Sequence, residues 1–188
     1  MPVEIEVEAK TRPSTALKLN LGCGQNRLDG FTGVDYVKTA TTDVVMDLEV
    51  RPWPWDTSSV DAAICNHTLE HLNDPIGFMD ELHRVLKPDA KVVIAVPHAQ
   101  TSGAWQDPTH KRPINEKFFL YFSKKFREQD AMKADHYPIR SDFEIEGDSV
   151  LYTLEDDWKD KTKKEIDFAI KHFNNVVTQF CVVLICRK

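Results

Sequence analysis

The chain has 188 residues, 41% hydrophobic and 29% charged, with a formal net charge of −6. That length suits one domain with a sizeable core, no apolar run approaches the ~18 residues of a membrane span, and the negative balance argues against duplex DNA and an anionic membrane as partners. The opening stretch MPVEIEVEAK carries acids where an export leader would carry a basic and then an apolar segment, which predicts a cytoplasmic protein with reduced thiols.

In chain order, residues 1–14 read as a flexible lead-in, although Val3, Ile5 and Val7 alternate with Glu as an edge strand would, and 15–188 as a single domain. Five short β-favouring runs follow, at 16–21, 33–36, 42–46, 60–65 and 91–96. Their near-continuous hydrophobicity predicts a parallel sheet covered by helices. The clearest helix falls between the fourth and fifth runs. Asp74 caps it, Pro75 takes the first helical position, and Ile76, Met79, Leu82, Val85 and Leu86 recur at threes and fours on one face. Lys87-Pro88-Asp89-Ala90 reads as the turn that ends it. Residues 98–141 form a long insertion in which Asn115 caps a helix with Phe118, Phe122 and Phe126 at intervals of four, and Lys117, Lys124, Lys125 and Arg127 as its outer charges. A strand region at about 143–154, a helix at about 157–173 and a last strand at 176–185 complete the chain.

The chemistry gathers at the strand ends. Leu21-Gly22-Cys23-Gly24 follows the first run, where glycines permit a sharp turn and the close approach of a ligand to backbone amides, although an ordinary strand exit has the same look. The third glycine of a dinucleotide fingerprint is replaced by Arg27, which disfavours a nicotinamide cofactor. Asp35 ends the second run, placed to accept both hydrogen bonds of a ribose diol, and Asp47 ends the third, placed to meet an adenine amino group. Either one alone is as readily a turn or capping aspartate. Cys23 and Cys65 sit in apolar runs, and the odd spacing of Cys181 and Cys186 on a strand puts them on opposite faces, so no metal site is expected.

The ordered segments LNLGCG, GVDY, DVVMDL, RPWPWDTSSVD, NHTLEHLNDP and LHRVLKPDAKVVIAVP, spanning residues 17 to 98, resemble the class I S-adenosylmethionine-dependent methyltransferases, in particular their small type 11-like members. The resemblance implies an α/β, three-layer Rossmann-like sandwich, mostly parallel, with an antiparallel strand near the C-terminus. It implies S-adenosylmethionine as cofactor, with the methionine part on the backbone from Leu21 through Gly22 and Cys23 to Gly24, ribose on Asp35 beside Tyr36, adenine on Asp47 and Leu48, and the sulfonium facing Asn66 and His67. Only ten residues separate Gly24 from Asp35, so the first helix of the family must be vestigial. Asp89-Ala90 stands where the family carries a glycine pair.

Methyl transfer needs alignment of an electron-rich acceptor and exclusion of water more than it needs catalytic groups. Where a base is required, His110, His98 and His67 are the candidates, His110 first because it lies in the loop Asp107 to Arg112 after the fifth run. Glu70 and His71 read as packing and hydrogen-bonding residues, and Trp53 and Trp55 as cover for a sheet edge. No Asn/Asp-Pro-Pro-Tyr segment and no Pro-Cys pair is present, leaving an oxygen or nitrogen acceptor on a small molecule, sugar or peptide. Residues 98–127 hold six Lys or Arg against two acids, which favours an anionic acceptor near Arg112 and Asp107, with a solvated helix face as the plainer explanation. The alternative function is a non-catalytic, methyltransferase-like subunit that binds cofactor or a partner protein.

Overall fold

The computed structural model describes residues 16–129, 134 and 136–188. The lead-in at 1–14 lies outside the described residues. Strands β1 (Lys18–Leu21), β2 (Thr32–Asp35), β3 (Val44–Val45), β4 (Val60–Asn66) and β5 (Leu86–Pro97) are parallel, and β8 (Val177–Cys186) runs antiparallel to β5. Across the sheet the order is β3-β2-β1-β4-β5-β8, with β6 (Phe143–Ile145) and β7 (Leu151–Leu154) on the outer edge of β8. This is the expected mostly parallel sheet with one reversed strand near the C-terminus. The strand order turns back at β1, whose neighbours are β2 and β4. Such a switch point opens a crevice beyond the carboxyl ends of the strands.

Helix α1 (Pro75–Val85) forms as its sequence predicts, with the Asp74 side chain accepting from the Gly77 amide at 2.9 Å and Phe78, Met79, Leu82 and Val85 buried in the main core. Burial of side chains of this size stabilises by roughly 1.5–3 kcal/mol each, so packing rather than propensity holds the helix. Between β1 and β2 there is no helix, only turns, as the short spacing requires. No helix among the described residues is long and apolar enough to cross a membrane.

Several local expectations are corrected. Lys87–Ala90 is not a turn between elements: β5 begins at Leu86, directly after α1, and the four residues bulge out of the ladder, since Val60 pairs with Leu86 but Ala62 with Lys91. Asp89 accommodates the bulge at φ +60°. The phenylalanine stripe is not one α-helix. A 3₁₀ helix spans Glu116–Phe122, capped by Asn115, and gives way at extended Ser123 to the short α3 (Lys124–Arg127). The three-residue period of a 3₁₀ helix buries Phe119 and Phe122, while Phe118 only flanks the core. Arg127 is not an outer charge but is 7% exposed, and it donates to the carbonyls of Tyr121 at 2.8 Å and Ser141 at 3.1 Å.

Trp53 does not cover an edge either: it is core, with its indole N–H donating to the Leu48 carbonyl at 3.1 Å. Trp55 packs edge-on against it. A short α2 (Gly103–Gln106) begins the insertion after β5. The strand region at 143–154 is broken by a turn at Gly147, φ +48°, into β6 and β7. The following helix divides into a 3₁₀ turn, Asp156–Trp158, and α4 (Lys163–His172), which a Thr162–Glu165 capping box starts. All four cysteines are free, and burial pushes the Cys65 thiol up to about 12.

Candidate active site

At the switch point the chain leaving β1 turns on two glycines in the left-handed region, Gly22 at φ +69° and Gly24 at φ +52°. Their reasons differ. A Cβ on Gly22 would lie 2.0 Å from Thr68 Oγ1, so the loop after β1 and the loop after β4 touch at van der Waals range. At Gly24 a Cβ would meet nothing within 4 Å. The loop is fixed by its polar neighbours: the Gly24 amide donates to Asp35 Oδ2 at 2.8 Å, and its carbonyl accepts from the hydroxyls of Thr39 and Thr41 at 2.8 and 2.7 Å. The other Asp35 oxygen accepts from the Val37 amide at 3.0 Å. Arg27, where a dinucleotide loop has its third glycine, points Nη1 at both Asp43 carboxylate oxygens, at 2.8 and 2.9 Å, and at the Thr41 carbonyl.

Beyond β3, Asp47 accepts from the Glu49 amide at 2.9 Å, and Glu49 in turn accepts from the amides of Asn73 and Asp74 at 2.7 and 2.9 Å. These contacts tie the segment after β3 to the start of α1. Together the loops enclose a cavity of about 570 Å³ lined by Gly22, Gly24, Asp35, Tyr36, Met46, Asp47, Leu48, Glu49, His67, Thr68, His71, Leu72, Pro108, Thr109 and Lys111. Its size falls within the few hundred to one thousand Å³ typical of small-molecule sites. A larger groove of about 800 Å³ runs along α1 between Arg51, Asp80, Arg84 and Arg140, but it contains none of the residues expected at a site.

Of the expected cofactor residues, Gly22, Gly24, Asp35, Tyr36, Asp47, Leu48 and His67 line the cavity. Leu21 and Cys23 are buried behind it, and exposed Asn66 is off its wall. His67 sits at φ +49°, with Nε2 2.8 Å from Gln179 Oε1 and Nδ1 3.4 Å from Glu70 Oε1. Glu70 holds its pKa above the ordinary imidazole value, against the opposing effect of half-burial and with help from Gln179. The 3.4 Å separation is long for a hydrogen bond, and among the described residues neither Glu70 oxygen has a hydrogen-bond partner, although the residue is 2% exposed.

His98 is 3% exposed and not on the cavity wall. Its Nδ1 accepts from the Gln100 amide at 3.3 Å, which leaves the proton on Nε2, 3.5 Å from Glu116. His110 is also set back, with Nδ1 3.1 Å from the Ala104 carbonyl and its ring edge-on to His71 at 4.7 Å between centroids. Arg112 does not present its fork to a ligand: the guanidinium donates to the carbonyls of Leu72 and, at 3.0 Å, Asn73. It thereby clamps the 107–112 loop over the start of α1. Asp107 is likewise engaged, accepting from the Thr109 hydroxyl at 2.6 Å and amide at 2.8 Å. The sequence reading missed Met46, Glu49, Thr68, His71, Leu72, Pro108, Thr109 and Lys111 as cavity residues; only the LEHL segment and the His110 loop hinted at some of them.

A family model described as a methyltransferase domain matches residues 19–94. No curated protein matches the chain. Among solved structures, an S-adenosylmethionine-dependent methyltransferase from Archaeoglobus fulgidus is similar with a TM-score of 0.56 at 14% identity, over 90% of this chain and 86% of that one. A 1,6-didemethyltoxoflavin-N1-methyltransferase from Burkholderia thailandensis, holding S-adenosylhomocysteine, gives 0.54 at 13% identity over 92% and 72%. The cyclase SpnF also gives 0.54 at 13% identity, over 92% and 75%. The fold is therefore the Rossmann-like one of class I methyltransferases.

Proposed function

We propose, from the methyltransferase-domain pattern of residues 19–94 and the class I fold around it, that this chain is an S-adenosylmethionine-dependent methyltransferase. The observation that carries the reading is the convergence of Gly22, Gly24, Asp35, Asp47 and Leu48 on one cavity at the switch point of the sheet. Fold alone would not suffice, because the cyclase SpnF shares it. The residues fit the cofactor in kind. Gly24 has no side chain and open space where one would stand, so a ligand can approach the loop closely there, although the Gly24 amide and carbonyl are already bonded. Each Asp35 oxygen, though bonded once to an amide, keeps a lone pair for a ribose hydroxyl. Asp47 and Leu48 suit the adenine end.

When bound, the cofactor supplies an electrophilic methyl group. The protein's own part is to hold the acceptor and keep water out. His67 is flanked at both ring nitrogens by Gln179 and Glu70, so we assign it positioning rather than the role of a free base. His98 is excluded from that role by burial and by the amide bonded to its Nδ1. Pro108, Thr109 and Lys111 also line the cavity, and their loop is the acceptor side in our reading. With Arg112 and Arg127 engaged by carbonyls, the lysine or arginine on the cavity wall is Lys111, an exposed ammonium that shares the cavity with the carboxylates of Asp35, Asp47 and Glu49. It suits an oxygen or nitrogen acceptor that carries a carboxylate or phosphate.

Transfer of label from methyl-labelled S-adenosylmethionine to a panel of matched acceptors is expected to favour anionic over neutral members. Lys111→Ala and added salt should each raise the acceptor KM while leaving cofactor affinity in place. Equal use of neutral acceptors, or a Lys111→Ala enzyme with unaltered KM, would remove the anionic part of the proposal. Cofactor binding with no transfer to any acceptor would favour a non-catalytic subunit.

A further inference from the structure

We propose that Glu70, His71 and His110 form a binding site for one divalent transition-metal cation of the zinc type at the edge of the cavity. One donor atom from each of the three lies within 4.8 Å of the others. Ligands around a cation with bonds of ~2.0–2.2 Å stand somewhat closer than that, so small side-chain rotations close the set. Glu70 comes from the 3₁₀ turn Leu69–His71 after β4, as does His71, and His110 arrives from the loop after α2. The Lys111 amide joins the two segments by donating to the Glu70 carbonyl at 2.8 Å.

The hydrogen bonds around both rings prepare them as ligands. His110 Nδ1 faces a carbonyl, which only accepts, so that nitrogen bears the proton and in the neutral ring Nε2, 3.8 Å from Asp107 Oδ2, bears the lone pair. At His71 the same result comes through a relay. The Thr109 hydroxyl donates to Asp107 at 2.6 Å, and must therefore accept from His71 Nδ1 at 2.9 Å, leaving His71 Nε2 as the lone pair. A histidine whose second nitrogen is held by a carbonyl or a carboxylate-linked partner is the usual arrangement around protein-bound metals.

The independent observation is Glu70. A carboxylate 2% exposed, with neither oxygen hydrogen-bonded among the described residues, is costly unless something compensates it. Its ion-pair neighbour, His67, stands 3.4 Å away and is half exposed. A cation between Glu70 and the two imidazoles would supply that compensation. Two imidazoles and one carboxylate are the donor set of three-ligand zinc sites, and of other first-row cations with similar preferences, not of magnesium or calcium. His71 also lines the cavity, so a cation held there can reach an oxygen of the acceptor. The site rests on these side chains alone and stands whether or not the cavity takes S-adenosylmethionine.

The test is calorimetric titration of the chelator-treated full chain with zinc chloride. One equivalent is expected to bind, with millimolar magnesium failing to compete. His110→Ala and Glu70→Gln should each weaken binding by at least ~100-fold, and Thr109→Ala, which only orients His71, by ~10- to 100-fold. His172→Ala, at the exposed end of α4 and outside the donor cluster, should change nothing. Should the ligand variants fail to fold, cobalt titration of the unmutated chain is expected to give the intense visible bands of a low-coordinate site. Lack of stoichiometric zinc binding, binding that survives both ligand substitutions, or the absence of those bands would overturn the site and leave Glu70 as the partner of His67.

Discussion

Asp35→Ala is expected to weaken S-adenosylhomocysteine binding by tenfold or more. A carboxylate hydrogen bond contributes about 1.5–3 kcal/mol, and each 1.4 kcal/mol is a tenfold change in affinity. The residue has two tasks in the structure. Its Oδ2 accepts from the Gly24 amide and its Oδ1 from the Val37 amide, so it shapes the glycine loop as well as facing the cavity. At 8% exposure, its removal also leaves those amides without an acceptor, a cost of about 1–3 kcal/mol to the fold. Asp35→Asn separates the two effects, since its amide oxygen can still serve one backbone N–H but not both. Calorimetry and urea unfolding on the same variants measure the two losses, and an Asp35→Ala protein with unaltered affinity would show that the ribose end lies elsewhere.

Gly22→Ala is expected to cost about 2–5 kcal/mol of folding stability. The left-handed conformation at φ +69° is unfavourable for a residue with a Cβ by roughly 1–2 kcal/mol, and forcing atoms into filled space costs about 1–3 kcal/mol more. That space is filled, because the new carbon would stand 2.0 Å from Thr68 Oγ1. Thr68→Ala in the same chain should recover most of the steric part, since the Cβ that alanine keeps still stands 2.9 Å from the new carbon, and none of the backbone part. Gly24→Ala makes the contrast: its Cβ meets nothing within 4 Å, so only the backbone cost of roughly 1–2 kcal/mol is expected. Its larger effect should be on ligand binding, because Gly24 lines the cavity. Equal destabilisation by the two substitutions in urea titrations would contradict this account of the loop.

What was legible in the sequence is what local chemistry dictates. The glycine turn, Asp35 closing β2, Asp47 just beyond β3, and α1 with its Asp74 cap each depend on a few adjacent residues, and each is present. The missing first helix followed from counting. Where the reading failed, the deciding contact was distant in sequence. Nothing near Arg112 announces that its guanidinium will bind the carbonyls of Leu72 and Asn73, 40 and 39 residues away. Charge at Arg127 pointed outward until a buried carbonyl at Ser141 claimed it. The phenylalanines misled for a different reason, since a spacing of four at 118, 122 and 126 and a spacing of three at 119 and 122 coexist in one segment. Tertiary packing chose the tighter helix.

The cavity at the switch point is the centre of the account, and titration calorimetry with S-adenosylhomocysteine tests it most directly, run in parallel with NAD on the same preparation. The predicted result is saturable binding of one S-adenosylhomocysteine per chain, a melting temperature that rises with its concentration as mass action requires, and no response to NAD, whose fingerprint Arg27 interrupts. A folded protein that shows neither heat nor a melting shift at millimolar S-adenosylhomocysteine, or that binds NAD instead, would contradict the assignment.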